Sequence, residues 1–186
     1  MIHLFLAAVL HYDVLISAGH EGRPASCSTF HHKCNLGADG ESAWNTAVAD
    51  AAAADLRARG FSVAREPADF AGSYDVKTAA FIHFDGSDPA CTSGASIGYH
   101  TADSQPMALR WRAAYAALFP FRFMPDNFTK NLSNYYGFRQ VHASDGALVV
   151  EFGEITCPQQ KAWLAPRLQQ LGKFLASFLA QSMSGR

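Results

Sequence analysis

"SAWNTAVADAAAADLRARGFSVAR", residues 42–65, decides the fold class. Residues 42–59 are dominated by alanine, with leucine and arginine beside it and no proline or glycine, which is the composition of a stable helix. Gly60 follows as the C′ residue, where a left-handed conformation ends a helix without a Cβ penalty. "FSVAR" (61–65) then changes to strand-forming residues. Helix, glycine and strand in direct succession form half of a crossover unit, so the flanks should hold parallel strands.

Working outward, they do. "DVLISA" (13–18) reads as a strand before the helix, and "TAAFIHF" (78–84) and "GASIGYH" (94–100) as strands after it, joined by the turn-rich "DGSDPACTS". "SQPMALRWRAAYAALF" (104–119) reads as a second helix with Pro106 in its first turn. "GALVVEFG" (146–153) is a further strand. "PQQKAWLAPRLQQLGKFLASFLAQ" (158–181) is a final amphipathic helix whose middle Pro166 and Gly172 weaken. The aromatic run "PFRFMPDNFTKNLSNYYG" (120–137) has no periodicity that assigns it. The alternation predicts one α/β layered domain over residues 1–186, with its core at about 13–181 and a mainly parallel twisted sheet flanked by helices.

Composition excludes several classes of function. With 49% hydrophobic and 17% charged residues the chain is globular rather than disordered. Its net charge is −1 and it has no basic run, so no nucleic-acid surface is indicated. The opening "MIHLFLAAVL" is too short to span a bilayer and lacks a cationic leader region. It reads as an edge strand or a segment packed on the core, with a degenerate signal peptide as the alternative. The sequons at Asn127 and Asn131 matter only in a secreted, glycosylated protein. Cys27, Cys34, Cys91 and Cys157 form no CxxC motif. Cys27 and Cys34 would form a local disulfide in an oxidising compartment and stay free thiols in a reducing one.

Polar groups at three strand ends carry the chemistry. His20 leaves the first strand in "VLISAGHEG", His83 ends the apolar run of "AAFIHFDG", and Glu151 ends that of "LVVEFGE". Such groups need partners when buried, and parallel strands bring their carboxyl ends to one edge. Glu41 opens the long helix, where the helix dipole favours a carboxylate. At helical spacing it shares a face with Trp44, Val48 and Ala51, the side expected to meet the sheet. Two histidines and one glutamate are the ligand set of a catalytic zinc site, which leaves a fourth position to water. A further carboxylate held off the metal can move protons, and Glu151 is placed for that. Glu154 is its rival. His31 and His32, between Cys27 and Cys34, read as a polar loop rather than an accessory metal site, and His3, His11, His100 and His142 as surface residues. Trp111 and Trp163 read as core anchors. The aromatics from Phe119 to Phe128 read as loop packing, with a glycan groove as the alternative.

Four motifs in this order resemble the zinc-dependent N-acetylmuramoyl-L-alanine amidases of bacterial autolysins and phage endolysins. "ISAGHEG" matches the family's strand leading into Gly-His-x-Gly, and Glu41 its helix-opening glutamate. Arg65 and Asp69 follow the next strand, His83 ends a later one, and Glu151 in "ALVVEFGEIT" stands before a glycine. The chain departs from the pattern between Asp69 and His83, where it is shorter, at Phe84 and Asp85 after the histidine, and at Gly153, Glu154 and Cys157. The resemblance implies a phosphorylase/hydrolase-like layered α/β fold, Zn2+ held by His20, Glu41 and His83, and Glu151 as the catalytic residue. It implies hydrolysis of the amide between N-acetylmuramic acid and L-alanine in peptidoglycan by a monomer with no transmembrane segment. An inert peptidoglycan-binding module and a zinc peptidase acting on the stem peptide are the alternatives. The expected route is cytoplasmic synthesis with release to the cell wall, as for an endolysin, with secretion or a periplasmic location as the alternative.

Overall fold

The computed structural model describes residues 8–27 and 34–184. Most of the opening apolar segment, including His3, and the His31–His32 pair therefore lie outside the described residues. Five strands form one sheet: β1 (Val9–Ala18), β2 (Val63–Glu66), β3 (Ser73–Asp85), β4 (Ser96–Gly98) and β5 (Val141–Glu154). Their order is β2-β1-β3-β5-β4, with every pair parallel except β4 against β5. The helices are α1 (Glu41–Ala58), α2 (Gln105–Ala116), the single turn α3 (Lys130–Ser133), α4 (Pro158–Leu164) and α5 (Leu168–Ser184). This is the expected layered α/β domain with a mainly parallel sheet.

Side-chain alternation along the central strands divides the core in two. Val14, Ile16, Ala80, Ile82, Phe84, Leu148, Val150 and Phe152 face α1, α2, α4 and α5. Leu15, Ala79, Phe81, Ala147 and Val149 face the other way. The cover on that second side comes from Phe70 and from Leu132, Tyr135 and Phe138, which belong to or adjoin the aromatic run that the sequence left unassigned. Phe119 is buried against Tyr115 and Trp163, which is loop packing, whereas Phe128 is exposed.

α1 ends as expected. Gly60 has φ 90°, its N–H bonds the Arg57 carbonyl, and the Phe61 N–H reaches back to Leu56, which together make a Schellman cap. Other expectations need correction. The buried face of α1 runs through Glu41, Asn45, Val48, Ala49, Ala52 and Leu56. Trp44 stands at its rim, edge-on to Phe84, and Ala51 turns towards α5. The final helix is two: Pro166 sits in a 3-10 turn (165–167) between α4 and α5, where it cannot donate a helical hydrogen bond. Gly172 does not weaken α5 but lets it approach, because a Cβ there would strike the Val48 carbonyl oxygen and Ala51 Cβ. "GASIGYH" contributes only a three-residue antiparallel edge strand. Trp111 is fully buried, but Trp163 is only partly so, lying under the Arg167 guanidinium. All four cysteines are paired, Cys27 with Cys34 and Cys91 with Cys157. No described helix is long and apolar enough to cross a membrane.

Candidate metal centre

The carboxyl ends of β1 and β3 lie side by side in parallel register, and the chain leaves both at the same edge. His20 takes a left-handed conformation, φ 63°, as it turns out of β1. Gly19 before it is obligatory, because a Cβ would run into the imidazole of His83. Gly37, with φ 76°, is needed for the same kind of reason: a Cβ there would meet the Glu41 carboxylate and the His20 ring. Glu41 starts α1 after Gly40, so the helix N-terminus points at the edge.

The structure thus brings His20, Glu41 and His83 together, with one ligand atom of each within 4.8 Å of the others. They expose 9%, 3% and 7% of their surface, so three polar groups share a dry site at the sheet's rim. His20 Nε2 lies 3.2 Å and His83 Nδ1 3.0 Å from the same oxygen, Glu41 Oε1. The other carboxylate oxygen accepts the Ala38 N–H at 2.9 Å. Asn45, one turn along α1, bonds both the Gly19 carbonyl and Glu41. Burial opposes ionisation of Glu41, but the facing His20 and His83 imidazoles outweigh it and hold the carboxyl far below its ordinary range. Burial keeps His83 neutral, with Glu41 opposing.

Hydrogen bonding tests whether this group suits a metal. His20 Nδ1 lies 2.7 Å from the Asn35 carbonyl oxygen, which can only accept, and 3.1 Å from Arg23 Nη1, which donates to that same carbonyl. With the ring proton on Nδ1, towards the Asn35 carbonyl, Nε2 of a neutral ring is a lone pair aimed at a carboxylate oxygen. Acceptor against acceptor at 3.2 Å is repulsive unless a cation lies between them, and a backbone carbonyl on the far nitrogen is how metal-binding histidines are oriented. The residues fit a divalent metal favouring nitrogen and oxygen ligands.

Glu151 stands next to His83 in the β3–β5 register, with Ser96 opposite it on β4. Its Oε2 is buried with no hydrogen-bond partner. Burial, together with the charges of Asp85 and Glu41, pushes its carboxyl well above the ordinary range. The rival carboxylate is held by local bonds. Glu154 is fully buried, and its oxygens accept from the Cys91 and Ser93 N–H groups and the Thr156 hydroxyl, which hold it ionised against burial. It anchors the loop that the Cys91–Cys157 disulfide also ties down. His11 and His142 are exposed and flank Asp75, and His100 is exposed, all as expected.

Sequence reading missed three contributors. Asn45 had a signal, a buried amide one turn after Glu41 in a helix of alanines. Asn35 had none, because its backbone carbonyl does the work. Tyr135, whose hydroxyl is 3.1 Å from His83 Nε2, lay in the unassigned run.

No protein-family model matches this sequence, and comparison with curated proteins finds no match. Solved structures do match. The N-acetylmuramyl-L-alanine amidase Ami1 of Mycobacterium smegmatis superposes with TM-score 0.68 at 16% identity, over 97% of this chain and 99% of that one. The catalytic domain of CwlV, an N-acetylmuramoyl-L-alanine amidase of Paenibacillus polymyxa, gives 0.63 at 16% identity, over 95% and 97%. The catalytic domain of an endolysin targeting Clostridia difficile gives 0.67 at 14% identity, over 92% and 98%. At these identities the likeness is one of fold.

Proposed function

We propose that the chain is a zinc-dependent N-acetylmuramoyl-L-alanine amidase, a single catalytic domain that cleaves the amide joining N-acetylmuramic acid to the L-alanine of the stem peptide. The observation that carries this reading is the convergence of two imidazoles and a carboxylate on one point, next to a carboxyl that burial pushes well above its ordinary range. The fold shared with amidases supports the choice of substrate. Zinc held by His20, Glu41 and His83 would polarise the scissile carbonyl and make water a better nucleophile near neutral pH.

The protein's own groups do the rest. Glu41 stays ionised because the Ala38 and Phe84 N–H groups and the Asn45 amide donate to it, and α1 fixes it on the edge. Asn35 orients the His20 ring. Glu151 takes a proton from the attacking water at its carboxylate and returns it to the departing L-alanine nitrogen. Of the two charges that raise Glu151, that of Glu41 is the one a bound cation offsets, which brings Glu151 towards the poised range a general base needs.

Peptidoglycan is then the partner, met by a monomer at the cell wall. Pairing of all four cysteines favours an exported protein over one stored in a reducing cytoplasm, so the secreted or periplasmic route is preferred to endolysin-like release. The inert module is disfavoured by Glu151, since binding needs no buried, unpartnered carboxyl. Replacement of Glu151 by Gln is the test. The variant should bind zinc one to one and lose about 10²–10⁴-fold in hydrolysis, as general acid–base groups do. Undiminished hydrolysis by this variant would remove Glu151 from the mechanism.

A further inference from the structure

The antiparallel strand β4 is only three residues long, yet the fold clamps it on both edges. Its inner edge pairs with β5, and on its outer edge the Ala95 and Ile97 carbonyls accept the N–H groups of Met124 and Asn127 at 2.7 and 2.9 Å. Gly94 and Gly98 let that outer chain come close, since a Cβ on either would strike the backbone of Arg122 or Leu132. Alternation then assigns the faces. Ile97 packs with Ile82 and Val150 in the core that faces the helices. Ser96 therefore lies on the opposite face with His83 and Glu151, and the register sets the three in one row across β3, β5 and β4.

Ser96 is an odd occupant of this place. It is 1% exposed, and its Oγ has no hydrogen-bond partner, a costly state for a buried hydroxyl that serves nothing. The residue directly opposite is the half-buried Glu151, whose enclosed oxygen, Oε2, also lacks a partner. Opposed residues of an antiparallel pair hold their Cβ atoms about 4.5–5.5 Å apart, so rotation about side-chain bonds alone brings this hydroxyl and carboxyl within hydrogen-bond reach. His83 is two strands away, roughly 10 Å at the usual strand spacing, so the hydroxyl does not serve the candidate metal position. We infer that Ser96 is a positioning residue for Glu151. Its hydroxyl donates to Oε2 and fixes the carboxyl, leaving Oε1 to take and return the proton in hydrolysis. Ser96 carries no mark in "GASIGYH", because only the pairing of β4 with β5 sets it opposite Glu151.

The inference rests on the amidase reading for its purpose, but the contact is testable without it. Ser96→Ala removes a single oxygen and should fold. Hydrolysis of a soluble muropeptide by the zinc-loaded variant should fall about 10–100-fold in kcat, the usual weight of a hydrogen bond to a charged group, with KM and one-to-one zinc binding unchanged. In the Glu151→Gln background the same substitution should cost nothing further, because no base remains to be positioned. Thermal unfolding of the metal-free wild type, the two single variants and the double variant should show coupling. The shift in the double variant should differ from the sum of the single shifts, as for residues in contact. Additive thermal shifts would overturn the inference. So would an unchanged kcat in Ser96→Ala, a loss confined to KM, or an equal loss of kcat in both backgrounds. A wild type that leaves the muropeptide intact would instead refute the amidase reading, and the thermal cycle would still decide the contact.

Discussion

Glu151 is where function and stability oppose each other. Its carboxyl titrates well above the ordinary range when folded, so on raising the pH the unfolded chain loses this proton first, near pH 4.3. Above that pH the unfolded state binds fewer protons than the folded one, and stability falls as pH rises. Glu151→Gln removes this loss. In metal-free protein it should unfold at a higher temperature than wild type at pH 7, by about 2–4 °C for each kcal/mol relieved, with the difference gone at pH 4. Thermal scans in chelator at the two pH values measure it, and a variant less stable at pH 7 contradicts the placement of a charge-averse carboxyl there. His83 contributes with the opposite slope. Its pKa is lowered on folding, so the unfolded chain takes up a proton first as pH falls through about 6.5, and stability declines below that. The candidate histidines were legible because each follows an apolar run, and Glu41 because it opens the long helix. Their supports were not: Asn35 acts through its backbone, and Tyr135 meets His83 only after folding.

At the scale of elements, periodicity located β1, α1, β2, β3, α2 and β5, and their ends agree to within a few residues where caps are local, as at Gly60. Close approach between helices is not local. Gly172 looks like a weak point in α5 until α1 is laid against it. Gly172→Ala should therefore destabilise the protein by about 1–3 kcal/mol, the usual result of overpacking, although alanine is the better helix former. Urea unfolding gives the sign, and a stabilised variant would mean that α1 and α5 do not pack this closely. The short antiparallel β4 likewise exceeded what pattern could specify, since three residues carry little periodicity.

Across the whole molecule, alternation of strand and helix was enough to fix the layered class, because each amphipathic element has one face to bury. The cover on the second side of the sheet was unreadable, since it consists of irregular chain held by aromatic packing with no repeat to detect. Of the two disulfides, Cys27–Cys34 was legible as a local loop, whereas Cys91–Cys157 was closed to sequence. Cys91–Cys157 ties together residues 66 apart, and opening it by Cys91→Ala with Cys157→Ala should cost about 2–5 kcal/mol, read as a lower midpoint in denaturant. An unchanged midpoint would show that the pairing contributes nothing to the fold. The central claim concerns the bond that is cut. Purified peptidoglycan digested with the zinc-loaded protein and analysed by mass spectrometry should yield stem peptides with free L-alanine amino termini, lost on chelation and restored by zinc. New ends within the stem peptide, or binding with no new ends at all, would contradict it.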